Sequence, residues 1–196
     1  MNQTVEDYEI IAVDDCSTDR SFEILKDYEA RFPEKFRAVH SEVNRHQGGA
    51  KNIGMKMAAG DWIGFIDSDD WITPDMYEKL IQRAESTGAD LVGCDYCLTE
   101  EHSMKVGQIV HNNKKSQSGV LDKEKRASLI LDGGSLVVKI FRRSMIIEHG
   151  LWFPEDIYYE DNALGNSYLV LAKHFEYMEE PMYYYYQHDN STVHTI

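Results

Sequence analysis

The sequence predicts an α/β fold built on a mostly parallel, doubly wound sheet flanked by helices. In the first half, short apolar β-branched runs alternate four times with segments of helical period, and two of those runs end in clustered acids. Strand–helix alternation of this kind implies right-handed crossovers between parallel strands. Tyr8 to Val13 is the first strand, apolar throughout as for a strand buried on both faces, and it ends in Asp14-Asp15. Ser17-Thr18-Asp19 supplies caps for a helix on which Phe22, Leu25, Tyr28 and Phe32 recur at helical spacing, until Pro33 stops it. Arg37 to His40 is a second strand. Gly48-Gly49 opens a helix through Lys51, Ile53 and Met57 that closes at Gly60, and Trp62 to Ile66 returns as a central strand ending in Asp67-Ser68-Asp69-Asp70. Thr73-Pro74-Asp75 reads as an N-cap, an N1 proline and a first-turn acid for a helix with Tyr77, Leu80, Ile81 and Ala84 on one face, followed by a strand from Ala89 to Tyr96.

The second half is less regular. Residues 99–118 are polar without a clear period, Asp122 to Leu131 is a helix ending at Gly133-Gly134, and a helix from about Glu160 to Lys173 precedes strands at Phe175 to Met178 and Met182 to Tyr186. The 196 residues suit one domain, divided into a half over residues 1–98 and a half over 99–196.

Composition narrows the functions. With 20 Lys and Arg against 34 Asp and Glu, the formal net charge is −14, which argues against nucleic acid and anionic membrane surfaces as default partners, because both need clustered cations. No apolar run approaches the ~18 residues of a membrane span and the N-terminus lacks a leader pattern, so a cytoplasmic protein is expected. Three cysteines make no disulfide framework. Cys94 and Cys97 have the spacing of a redox or zinc pair, but no second pair completes a zinc site, and two thiols on a strand is the reading adopted.

In open α/β sheets ligands bind outside the carboxyl ends of the strands, where Asp14, Asp15, Asp67, Asp69 and Asp70 fall. Taken alone, an Asp-x-Asp after a strand is as readily a solvated turn. Carboxylates gathered in one crevice repel one another unless a cation compensates, and Mg²⁺ or Mn²⁺ does so with oxygen ligands while keeping positions for phosphate and water. An EF-hand reading fails because Trp71 and Ile72 stand where the loop needs a ligand and a glycine.

The stretches YEIIAVDDCSTDRSFEIL and GGAKNIGMKMAAGDWIGFIDSDDWITPDMYEKL, followed by VVKIFRRSMI, GLWFPEDIYYEDNALG and EEPMYYYYQHDNSTVH, resemble the family 2 glycosyltransferases of bacterial cell-surface polysaccharide synthesis. The resemblance implies a GT-A fold, with a Rossmann-like nucleotide-binding half and an acceptor-side half. It implies transfer of a sugar from a nucleotide-diphosphate donor, UDP-linked by expectation, to a glycan or lipid-linked acceptor, at the inner face of the membrane where the acceptor is lipid-linked. Mn²⁺ or Mg²⁺ is the implied cofactor. Position by position, Asp15 matches the acid that binds the nucleotide base, with Asp14 beside it, and Lys51 matches a basic residue near base and ribose. Asp67 and Asp69 match the DxD pair: Asp69 as ligand of the metal on the diphosphate, Asp67 near ribose and metal-bound water, with neighbouring Asp70 positioning them. Asp161 matches the catalytic base and Glu160 orients it; without the match this pair reads as first-turn acids complementing a helix dipole.

The chemistry agrees with those roles. Departure of a nucleoside diphosphate builds negative charge on the leaving phosphate, which a metal offsets. A carboxylate across the sugar ring takes the acceptor's proton, giving a single displacement with inversion. The Tyr183 to Tyr186 run reads as a strand. In the family an arginine that touches the diphosphate follows these tyrosines; Tyr186 and Gln187 stand there instead, and His188 and His194 are further candidates for metal or phosphate. Met1 falls inside the family pattern, so the family's first strand and helix are expected to be lacking. Two other readings stay open on sequence: a non-catalytic nucleotide-sugar-binding domain, and a receiver-type signalling domain with Asp67 as the phosphorylated residue.

Overall fold

A computed structural model of the chain describes residues 1–100, 105–157 and 159–187. They form two compact units: one comprises Met1–Val5, Gly64–Phe141 and the chain from Leu169 onward, the other Glu6–Ile63 and Arg142–Tyr168. These boundaries differ from a division at residue 98. Among the described residues no helix is long and apolar enough to cross a membrane.

The unit centred on Glu6–Ile63 is built on a parallel pair, β1 (Ile10–Asp14) and β2 (Phe36–His40), with Ile10 opposite Phe36 and Asp14 opposite His40. The crossover is α1 (Ser21–Arg31). Its N-cap is Arg20 and not one of Ser17, Thr18 and Asp19, from which the cap was expected; Asp19 Oδ1, one residue earlier, accepts the Ser21 N–H at 2.8 Å. None of α1 is fully buried, so the helix covers the sheet with one partly shielded stripe. After β2 comes α2 (His46–Met57), whose buried positions are Gly48, Gly49, Asn52 and Met55. Two further helices belong here, α5 (Arg143–His149) and α6 (Glu160–Leu171), the second anchored by buried Leu164 and Tyr168. The Tyr168 hydroxyl accepts the Arg142 N–H at 2.8 Å.

Between α2 and the other unit runs β3 (Trp62–Gly64), shorter than the expected Trp62 to Ile66. Phe65 leaves the ladder to meet Phe141 edge-on at 6.1 Å, and Ile66 is left exposed.

The other unit holds a mixed sheet. Its strands are β4 (Trp71–Ile72), β5 (Leu91–Thr99), β6 (Gln108–Val110), β7 (Gly119–Val120), β8 (Lys139–Arg142, whose last residue belongs to the unit centred on Glu6–Ile63) and β9 (His174–Tyr186). Here the expectation of mostly parallel strands is corrected in part. β5 and β9 are parallel, but β8 and β6 join β5 antiparallel, and β4 and β7 join β9 antiparallel. Hydrophobic period reports burial and not strand direction, so the less regular half could add antiparallel edges unannounced. β9 is continuous where two strands were expected. Between Gly93 and Asp95 of β5 the partner residues advance from Tyr177 to Pro181, so β9 bulges at the proline, which has no N–H for the ladder.

Against this sheet packs α3 (Met76–Thr87), with Met76, Leu80 and Ala84 fully buried at i, i+4 and i+8. Gly88 closes it in the left-handed conformation, φ 70°. On the chain between β6 and β7 lies a single 3₁₀ turn, and α4 (Lys123–Asp132) then starts with Asp122 as N-cap, its carboxylate accepting the Lys125 N–H at 2.8 Å. Both Cys94 and Cys97 are fully buried in β5 as free thiols, an odd spacing made possible because that strand is covered on both faces. Burial raises the Cys94 thiol far above its usual range.

Candidate active site

Four of the seven predicted acids, with Lys51, lie in the unit centred on Glu6–Ile63; Asp67, Asp69 and Asp70 lie in the other.

At the end of β1, Asp14 is 4% exposed and faces its register partner, His40, with Nδ1 2.7 Å from Oδ2. Burial by itself would raise the Asp14 carboxyl, but hydrogen bonds from Ser17 and His40 outweigh it and hold the group below the ordinary carboxylate range. Asp14 is therefore taken up in closing the strand–loop junction. Asp15, next along the chain, is half-buried, and both its oxygens accept the Arg45 N–H, at 2.9 and 3.1 Å. That contact ties the β1 loop to the start of α2.

Lys51 projects from α2 to Glu160, the first residue of α6, at 2.8 Å. The side chains are 16% and 7% exposed, so this ion pair is largely withdrawn from water. Asp161 follows in the first turn, half-buried, with Oδ1 accepting the Asn162 N–H at 3.0 Å. Glu160 faces inward to Lys51, and Asp161 does not share that contact. The approach to α6 is unusual backbone, because Asp156 and Tyr159 both have φ 61°.

In the other unit, Asp67 to Asp70 form a tight turn in which the Asp70 N–H donates to the Asp67 carbonyl at 3.1 Å. Asp70 is engaged with β9 through both oxygens. Oδ2 accepts the Tyr183 hydroxyl at 2.5 Å and Oδ1 accepts the Tyr186 N–H at 2.8 Å, while the Tyr183 oxygen in turn accepts the Asp67 N–H at 3.2 Å. Burial pushes the Asp70 carboxyl up to about 6, opposed by those two hydrogen bonds and assisted by the charges of Asp69 and Asp67. Asp69 is exposed and Asp67 half-buried. Asp70 is thus the side chain that fastens the acidic turn to the sheet. Tyr186 meets Trp71 at 6.1 Å, and Trp71 in turn stacks on Tyr184 at 6.0 Å with 10° between planes. His188 and His194 lie outside the described residues.

A family model described as glycosyl transferase family 2 matches residues 1–148. The chain belongs to glycosyl transferase family 2. EpsH of Bacillus subtilis strain 168, named a glycosyltransferase, is 34% identical over 198 residues, covering 98% of this chain and 56% of EpsH. Among solved structures, S. aureus TarS 1–349 in complex with UDP-GlcNAc superposes with a TM-score of 0.78 at 20% identity, over all of this chain and 54% of TarS. The mannosyltransferase PcManGT of Pyrobaculum calidifontis, in complex with GDP-Man and Mn²⁺, gives 0.69 at 14% identity, over 97% of this chain and 51% of PcManGT. Both share the α/β fold predicted for the chain, and a receiver-type domain drops out with family membership. The chain spans about half the length of the curated relatives it matches.

Reading for the family-2 acids passed over Asn52, Arg45, Glu155 and Tyr183, whose partners are more than 25 residues distant. Asn52 did carry a signal. It follows Gly48 by four residues on one helix face, a small residue and an amide where an apolar pair would be usual.

Proposed function

We propose that the chain carries out the donor-side and base chemistry of an inverting glycosyltransferase, moving a sugar from a nucleotide diphosphate, UDP-linked by preference, to a glycan or lipid-linked acceptor. The family match over residues 1–148 carries the reading. The complexes of TarS with UDP-GlcNAc and of PcManGT with GDP-Man support the donor class.

Asp15 and Lys51 are assigned to the nucleotide base and ribose, and Asp161 to the acceptor. Asp161 accepts the hydroxyl proton as the oxygen attacks the anomeric carbon and the diphosphate leaves from the opposite face. Glu160, neutralised by Lys51, holds the start of α6 so that Asp161 stays available. The turn at Asp67 to Asp70 suits a divalent cation: its carboxylates crowd one another enough that Asp67 and Asp69 help drive Asp70 upward, and Asp70 is committed to β9 while Asp69 is exposed. An ion of Mg²⁺ type takes one or two protein carboxylates and completes its shell with phosphate and water. Asp69, with Asp67 beside it, would hold Mn²⁺ or Mg²⁺, and the ion would supply positive charge to the leaving diphosphate. With a lipid-linked acceptor, the reaction belongs at the cytoplasmic face of a membrane.

The test titrates UDP- and GDP-linked sugars with and without Mn²⁺. Binding that depends on Mn²⁺ and is lost in Asp69→Ala is expected. Asp161→Asn should retain binding and lose transfer by at least ~10²-fold, the lower range for a general base. Metal-independent binding, or unchanged binding in Asp69→Ala, refutes the site assignment. Binding by the wild type without turnover would favour a non-catalytic nucleotide-sugar binder.

A further inference from the structure

Within the unit centred on Glu6–Ile63, residues 153–157 and Tyr159 have no regular secondary structure, yet they lead to Glu160 and Asp161 and include two residues in the left-handed region, Asp156 and Tyr159. Something outside them has to set their path. The contacts that do so come from α2. Asn52, 4% exposed, reads the backbone of Phe153 with both ends of its amide: Nδ2 donates to the Phe153 carbonyl at 2.9 Å and Oδ1 accepts the Phe153 N–H at 2.9 Å. A side chain here replaces the paired hydrogen bonds of a strand neighbour. Nδ2 also reaches Glu155 Oε1 at 3.4 Å, and the other Glu155 oxygen lies 3.3 Å from Arg45 Nη1 at the head of the helix.

One turn before Asn52, Gly48 lets the two segments touch. A Cβ there would lie 2.4 Å from the Pro154 carbonyl oxygen, closer than real atoms approach, and 3.2 Å from Glu160 Cγ, a tight contact. Lys51, beside Asn52, completes the seam with its pair to Glu160. These attachments of Phe153, Pro154, Glu155 and Glu160 lead back to α2 between Gly48 and Asn52 and to its N-cap Arg45, the same piece of helix that presents Lys51.

We propose that Asn52 is a positioning residue for Asp161, with Gly48 as its steric counterpart, and that α2 sets the distance between the nucleotide-binding contact at Lys51 and the catalytic base. The proposal rests on the transferase reading above. Asn52 touches neither donor nor acceptor; it acts by holding Phe153, and through it the segment that aims the first turn of α6. A base displaced by about 1 Å costs on the order of 10²-fold in rate while donor contacts elsewhere remain intact.

The experiment compares wild type, Asn52→Asp and Gly48→Ala. Asn52→Asp is nearly isosteric; it keeps the acceptor for the Phe153 N–H and loses the donor to the Phe153 carbonyl. Nucleoside diphosphate release from a panel of UDP- and GDP-linked sugars gives kcat and donor KM, and amide hydrogen exchange of the Phe153–Glu155 peptide reports the seam directly. Expected are kcat lower by ~10- to 100-fold and donor KM within about threefold of wild type in both variants, with faster exchange in that peptide in Gly48→Ala; Asn52→Asp keeps the acceptor for the Phe153 N–H and so reads through kcat and KM. Wild-type kcat in Asn52→Asp, or in a Gly48→Ala that exchanges faster, overturns the positioning role alone, as does a loss confined to KM. Wild type that turns over none of the sugars overturns the transferase reading and the positioning role together, and the two failures are told apart by that control.

Discussion

Lys51 and Glu160 are the residues at which burial and charge meet most closely in the candidate site. Removing one partner strands a charge with little water to solvate it, whereas removing both leaves a neutral gap. Lys51→Met is therefore expected to lower stability by about 3 kcal/mol or more, and the double variant Lys51→Met/Glu160→Gln to regain most of it. Urea denaturation checks this, and a single-variant loss below ~1 kcal/mol would show the pair to be a solvated contact. Asp14 makes a different prediction. Its folded-state pKa lies below the unfolded value of 3.8, so its contribution is fully present above that value and disappears as pH falls through the folded pKa. Asp14→Asn should be less stable than wild type at pH 6, with the gap narrowing below about pH 3.8 in thermal melts. Of these roles the sequence disclosed the residue types and their places on strand ends and helix starts. It did not disclose that Asp14 is spent on His40, because the pairing depends on the register of β1 with β2.

Elements were legible in proportion to their period. α3 was readable because Leu80 and Ala84 repeat at helical spacing after a helix-start signal at Thr73-Pro74-Asp75; in the structure Gly88 closes it in the left-handed conformation. A Cβ at Gly88 meets nothing within 4 Å, so Gly88→Ala should cost about 1 kcal/mol through backbone conformation alone, with function and spectra unchanged. A larger loss in chemical denaturation would mean that the position also bears packing. By contrast β9 appeared as two strands, since Pro181 and the charged Glu179-Glu180 read as an interruption. In the sheet the chain crosses that point as a bulge, because β5 on one side supplies enough ladder to carry it. Strand direction was likewise invisible: a run such as Lys139 to Arg142 has the same pattern of burial in either direction.

For the whole chain, the acidic balance of −14 and the three thiols gave exclusions that composition can support. The thiols also give a test of fold integrity. Cys94 and Cys97 are fully buried and Cys16 is partly exposed, so a thiol reagent should modify Cys16 in the native protein and all three only after denaturation. Native-state labelling of Cys97 at the rate of Cys16 would contradict the burial of β5. By itself the sequence determined the α/β class, the order of helices and strands over the first half apart from the two-residue β4, the clustering of acids and the family, because each is written in local period, local turn chemistry or contiguous motif. Tertiary structure alone decided the mixed sheet, the capture of Asp70 by Tyr183 and Tyr186, and the seam from Asn52 to Phe153. Those contacts join residues 101 to 116 positions apart, and a hydrogen bond over such a distance leaves no periodic trace in either partner's neighbourhood.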